Sequence, residues 1–173
     1  MSTKINSLTN CNVYLNGASL LGRCNEVTLP EVKVKMVDHK GLGMRGEIEI
    51  PAGGLEKMTA KFKWASYYEE VQRQAGHPSR ARRIQVRGSL ETYAAGGLSD
   101  EVPFVVTLGG VFKGNTMGAL KQHESVQPES EMVVYYVRQE INGETLLEVD
   151  VMANIHKVAG EDVLARYRSI IGG

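Results

Sequence analysis

Along most of this 173-residue chain, apolar and polar side chains alternate with a period of two. Successive side chains of a strand point to opposite faces, so the pattern specifies β-structure with one dry and one wet face. Val32, Val34 and Met36 alternate with Glu31, Lys33 and Lys35, and Ile48 and Ile50 with Glu47 and Glu49. Met58, Ala60, Phe62 and Trp64 alternate with Thr59, Lys61 and Lys63. Ile84, Val86 and Leu90 do the same with Gln85, Arg87 and Ser89. Val102 to Phe112 is more uniformly apolar, with Gly109-Gly110 as an interruption. Pro30 lacks an amide donor, which predicts a bulge or an edge position in the Val32 strand.

Turn chemistry joins these strands in pairs. Asn16-Gly17 separates Cys11–Leu15 from Ser19-Leu20-Leu21, and Asn142-Gly143 separates Met132–Ile141 from Glu144–Val151. Asn-Gly accepts the positive φ angles of a tight hairpin turn. Ser66-Tyr67-Tyr68-Glu69 has capping-box spacing and predicts a helix from Tyr67 to about Ala75, stopped by Gly76 and Pro78. A helix that short needs Tyr68, Val71 and Ala75 packed on a sheet. A second helix is expected over Glu161–Ile171, with Val163, Leu164, Tyr167, Ile170 and Ile171 as its apolar stripe. Its acids come first and Arg166 and Arg168 last, as the helix dipole prefers.

The expected fold is therefore mainly β: an antiparallel sandwich or barrel of roughly eight strands, with one short flanking helix and a C-terminal helix. With no linker, repeat or low-complexity tract in the sequence, one domain over residues 1–173 is expected. Its appendages would be an N-terminal arm at 1–10, a projecting loop at 38–46 and a C-terminal helix or arm at 160–173.

Hydrophobic residues at 42% and charged residues at 23% exclude wholesale disorder. Lys+Arg and Asp+Glu number 20 each, so no global field draws the chain to nucleic acid or an anionic membrane. The charge is nevertheless segregated. Residues 1–90 hold roughly 14 basic and roughly 8 acidic side chains, against roughly 6 and roughly 12 in residues 91–173. Folding either intermixes these charges or leaves opposed faces that meet when copies associate head to tail. No apolar run approaches the ~20 residues of a membrane helix, and Met1–Asn6 lacks an apolar signal core, so no membrane anchoring is expected. Cys11 and Cys24 would sit diagonally in the first hairpin, about 7–8 Å apart. That is too far for a disulfide, and two reduced thiols of cytoplasmic synthesis are expected.

Groups that could carry chemistry are few. Gly41-Leu42-Gly43-Met44-Arg45-Gly46 matches the three-glycine dinucleotide fingerprint, but it leads into the strand pattern of Glu47–Ile50 instead of opening a helix. A glycine-rich loop between two strands, able to reach a neighbouring molecule, fits better. His39, His77, His123 and His156 share no metal-ligand spacing, and no Ser or Cys stands in a nucleophile context. No catalytic residue, cofactor or metal site is expected. Arg80, Arg82, Arg83 and Arg87 form the one basic cluster, without interleaved aromatics. Facing outward, they could meet an acidic partner subunit.

Leu8-Thr9-Asn10-Cys11-Asn12-Val13-Tyr14-Leu15-Asn16-Gly17, followed by Val27-Thr28-Leu29-Pro30-Glu31-Val32-Lys33, closely resembles the opening of the major tail tube proteins of contractile-tailed phages. The tube proteins of R-type pyocins are of the same group. The resemblance continues through Gly41–Gly46, Leu55-Glu56-Lys57-Met58, Arg87-Gly88-Ser89-Leu90 and Glu148-Val149-Asp150-Val151-Met152-Ala153-Asn154-Ile155. It implies a β-sandwich protomer, hexameric rings stacked head to tail into the inner tube of a contractile tail, and no enzymatic activity. The bore would pass DNA in transit in a phage, or ions and solutes in a bacteriocin. Implied partners are further copies of the chain, the tail sheath, a baseplate initiator, a tape-measure protein and a tail terminator. The implied location is a virion tail or bacteriocin particle.

Two expectations about sites follow. Asp38, His39, Lys40, Gly41, Leu42, Gly43, Met44, Arg45 and Gly46 are candidates for inter-subunit contact. Duplex DNA must slide without sticking, so a neutral or negative bore is expected, with Glu47 and Glu49 as candidate lining. The rival reading is a solitary β-barrel binding a small ligand or single-stranded nucleic acid, against which stands an aromatic content of 6% with Trp64 the sole Trp.

Overall fold

The computed structural model describes residues 3–172. The chain opens with β1 (Ile5–Ser7), β2 (Cys11–Leu15), β3 (Ala18–Ser19), β4 (Cys24–Thr28), β5 (Val34–His39), β6 (Ile48–Leu55) and β7 (Met58–Trp64). After α1 (Glu69–Ala75) come three long strands, β8 (Arg82–Ala94), β9 (Gly97–Thr116) and β10 (Glu129–Ile141). It closes with β11 (Glu144–Asp150), β12 (Ile155–Val158), β13 (Glu161–Asp162) and α2 (Ala165–Ile171). These strands outnumber the roughly eight expected, because the single alternating stretches before residue 56 break into shorter pieces and the tail adds β12 and β13.

Eleven strands form one antiparallel sheet whose main path runs β13-β12-β11-β10-β9-β8-β2-β3. The sheet branches at both margins of its long strands. Glu129–Val134 of β10 pair with β7, which continues to β4, while Tyr136–Ile141 pair with β11. Cys11–Leu15 of β2 pair with Gly88–Ile84 of β8, whose far end instead takes β1 at Glu91–Tyr93. The branches let one continuous sheet cover both sides of a single core, as a sandwich does. The path ends at β13 and β3 without closing, so the barrel alternative is not realised among the described residues.

The alternation of β7 is fulfilled. Met58, Ala60, Phe62 and Trp64 are all buried, against Ile84 and Val86 of β8, Val106, Leu108 and Phe112 of β9, and Met132 and Val134 of β10. Trp64 stacks on Phe62 at 5.8 Å between ring centroids, and Phe62 meets Phe112 edge-on at 6.1 Å. Each such side chain contributes about 1.5–3 kcal/mol by burial. The indole N–H is satisfied inside the core: Trp64 Nε1 donates to Ser130 Oγ at 2.9 Å, Ser130 Oγ to Asn115 Oδ1 at 2.9 Å, and Asn115 Nδ2 to Gln72 Oε1 at 2.6 Å. This chain of bonds ties α1 to β7, β9 and β10.

Both Asn-Gly turns form as expected, with positive φ at Asn16, Gly17, Asn142 and Gly143. Gly109-Gly110, read as an interruption, lies inside an unbroken β9. Its role is close approach: a Cβ on Gly110 would stand 1.9 Å from the Val133 carbonyl oxygen, where β10 bulges between Val134 and Tyr136.

Several expectations are corrected. The helix α1 starts at Glu69, with Tyr68 in extended conformation at the N-cap and no side-chain cap. Glu69 therefore lies within the helix, where it pairs with Arg73 at 2.6 Å instead of reaching back toward Ser66. Val71 and Ala75 are buried as expected, and Tyr68 is partly so beneath the Arg23 guanidinium. Pro30 falls in the connection between β4 and β5, outside any strand. Cys24 lies on β4 opposite Trp64, not on the first hairpin, and both cysteines are free. The acids Glu161 and Asp162 form β13 opposite Val158 and Lys157, so α2 begins only at Ala165. None of its residues is buried. Asp162 holds it by accepting from Arg168 at 2.5 Å and from the Leu164 amide at 3.1 Å.

Candidate functional site

The largest departure from the sequence reading is at β5 and β6. They pair only with each other, and every residue from Lys33 to Gly53 is exposed. The predicted dry face is present in composition but uncovered. Val34, Met36, Val37, Ile48 and Ile50 are each between 39% and 50% exposed. At the base, the Glu56 amide donates to the Lys33 carbonyl at 2.8 Å; at the tip, Lys40 pairs with Glu47 at 3.2 Å. A two-stranded hairpin alone is marginal in water, so this element presents apolar surface without a core of its own.

The structure spreads the nine contact candidates over one strand end and the tip. Asp38 and His39 belong to β5, facing Glu49 and Ile48 across the ladder, so the loop is shorter than 38–46. Lys40, Gly41, Leu42, Gly43, Met44, Arg45 and Gly46 form the tip, turned by a bond from the Met44 amide to the Gly41 carbonyl at 3.1 Å. Gly43 takes φ +88°, and Leu42 is wholly exposed. The three glycines thus join two strands, as read from the sequence. Glu47 stands at the end of the tip and Glu49 on β6, both on the projecting hairpin and not on the large sheet.

A second uncovered apolar surface escaped the sequence reading. Of the apolar stripe read over Glu161–Ile171, Val163 just before α2 and Tyr167, Ile170 and Ile171 on it are 48–73% exposed. Val158 on neighbouring β12 and Met152 in the preceding turn are also exposed. Periodicity identified the stripe; it carries no information about which molecule covers it.

Among the described residues, no group of three or more His, Cys, Asp and Glu side chains is placed to hold a metal ion. Cys11 and Cys24 border one open depression together with Tyr14 and Arg87. Burial pushes the Cys24 thiol up to about 11 and raises that of Cys11, so both stay protonated and unreactive near neutral pH. Among the described residues, no helix is long and apolar enough to cross a membrane.

Comparison with known proteins gives this surface its context. Residues 5–172 match the family model described as phage tail tube protein FII. The tail tube protein of Escherichia phage P2 is 30% identical over 167 residues, spanning 93% of this chain and 94% of that protein. Among solved structures, the chain superposes with a TM-score of 0.55 on a chain of an extracellular contractile injection system, the PVC sheath–tube complex in its extended state. That match covers 75% of this chain and 87% of the other at 9% identity. A chain of the PVC sheath/tube terminator in the extended state matches equally, with a TM-score of 0.55 at 9% identity, covering 75% and 92%. At that identity the likeness concerns the fold.

Proposed function

The chain belongs to the phage tail tube protein FII family, and we propose that its copies assemble as stacked hexameric rings forming the inner tube of a contractile tail. The observation that carries this reading is the β5–β6 hairpin. A projecting element whose apolar side chains find no cover in their own molecule is stabilised when a neighbour supplies it. Exposed strand edges at β3, β4 and β13 offer backbone groups that a second copy can complete. The protein acts as structure and not as catalyst.

In this reading Asp38, His39 and the tip Lys40–Gly46 seat on an adjacent subunit. The bore passes DNA in a phage, or ions and solutes in a bacteriocin. Glu47 and Glu49 contribute negative lining, which lowers phosphate adhesion. A sheath surrounds the tube, a baseplate initiator nucleates it, a tape-measure protein occupies its lumen and a terminator closes it. The location is the virion tail or bacteriocin particle.

Negative-stain microscopy of the concentrated protein tests this reading and should show rings and tubes. Deleting Gly41–Arg45 should leave a folded, soluble protomer that builds no tube. Normal tubes from that variant would remove the hairpin tip from the interface. A wild-type protein that stays monomeric even on a nucleating baseplate would remove the tube itself.

A further inference from the structure

The long β8–β9 hairpin carries opposite, uncompensated charge at its two ends. At the start of β8, Arg82 and Arg83 stand in register with Gly110 and Gly109, and Arg80 lies just before them. None of the three forms an ion pair among the described residues. Arg82 is the unusual member. Only 9% of it is exposed, its Nη1 donates to the neighbouring Ala81 carbonyl at 3.2 Å, and its Nε has no partner. A guanidinium held nearly buried without a carboxylate is costly in an isolated molecule.

Eight residues further along β8, roughly 26 Å at strand rise, the sign reverses. Glu91 is directly opposite Glu101 on one face, and Asp100 is next to Glu101 in the chain. Like charges facing each other across a ladder destabilise it. Among the described residues, the only side-chain partners of Glu91 and Glu101 are hydroxyls: Tyr93 donates to Glu91 and Ser89 to Glu101, each at 2.6 Å. Lys4, which precedes β1, makes no ion pair among the described residues, and neither does Arg87 on β8. The Glu91–Glu101 pair therefore carries a local electrostatic cost that a cation would relieve, while the exposed Arg80 and Arg83 stand unpaired at the far end, out of its reach within one protomer.

We infer that successive copies stack end to end along this hairpin, the acidic end at Glu91 and Glu101 of one copy docking on the exposed arginine end at Arg80 and Arg83 of the next. The occupant of each surface is a second copy of this chain, chosen by charge complementarity. The contact is heterologous, so it is able to propagate without closing, as a stack requires. It rests on the tube reading and specifies which surfaces join the rings. Salt should weaken it, since the pairs form at the rim of a polar surface.

Charge exchange tests it. Glu91→Lys with Glu101→Lys, or Arg80→Glu with Arg83→Glu, sets like charge on like charge, and each pair should reduce stacks longer than one ring at least about tenfold. Mixing the two reversed proteins, or combining all four substitutions in one chain, should restore stacking. If a reversed protein failed to fold, the Gln versions at the same positions should fold and stack measurably less at low salt. Normal stacking by either reversed protein, or no recovery in the mixture and the combined variant, would overturn the contact while leaving the tube reading intact. The tube reading itself falls only if the unaltered protein makes no tubes.

Discussion

Strand β7 and the β5–β6 hairpin are written in the same code and end in opposite surroundings. Met58, Ala60, Phe62 and Trp64 alternate with polar residues and all four are buried. Val34 and Met36, like Ile48 and Ile50, alternate with Lys or Glu just as regularly, and all four lie open. The difference is in pairing. β7 is flanked by β4 and β10 and covered by the far side of the sheet, whereas β5 and β6 have only each other. A period of two specifies a dry face; it does not specify whose atoms make it dry. If copies stack as proposed, part of the apolar pattern is addressed to other copies.

If that contrast is right, the two regions must answer to mutation differently. Trp64→Ala should destabilise the protomer most, by about 3–5 kcal/mol, since it opens a large cavity and removes the donor at the head of the hydrogen-bond chain through Ser130. Chemical denaturation of the unassembled protein measures this. Gly110→Ala comes next, at about 1–3 kcal/mol of overpacking, because the new methyl group meets backbone and not a movable side chain. A melting temperature unchanged by Gly110→Ala would mean that β9 and β10 can part freely at their bulge, and the core would be less rigid than the comparison requires.

The legibility of the sequence divides along the same line. Elements whose partners are local or whose pattern is long were readable: the two Asn-Gly hairpins, β7, and the body of α1 with Val71 and Ala75 inward. Most of what failed depended on contacts distant in sequence. Gly109-Gly110 looked like a strand break, because its reason is the Val133 carbonyl on another strand. Ser66 and Glu69 had capping-box spacing, but Tyr68 sits at the N-cap and Glu69 turns to Arg73. Arg82, read as facing outward with its neighbouring arginines, is buried: the alternation that gives Ile84 and Val86 an inward face also carries Arg82 inward, a signal that its charge obscured. The tip Lys40–Gly46 was legible as a loop from its glycines. That its flanking strands stand apart from the sheet was not, because their composition is that of core strands.

The smallest expected change in the protomer is the sharpest test. Ile48→Ser and Ile50→Ser remove apolar side chains that are 50% and 39% exposed. Substitutions at such surfaces alter stability within about ±0.5 kcal/mol each. Thermal unfolding of the unassembled double variant should therefore track that of the parent protein. Its tubes should not. If each isoleucine completes its burial only against a neighbour, about 1 kcal/mol per side chain disappears from every such contact, and the loss repeats along the stack. Tube length at fixed protein concentration should then fall steeply while the melting curve stays in place. The reverse outcome, a lowered melting temperature with tubes of normal length, would make the hairpin part of the protomer's own stability and erase its difference from β7.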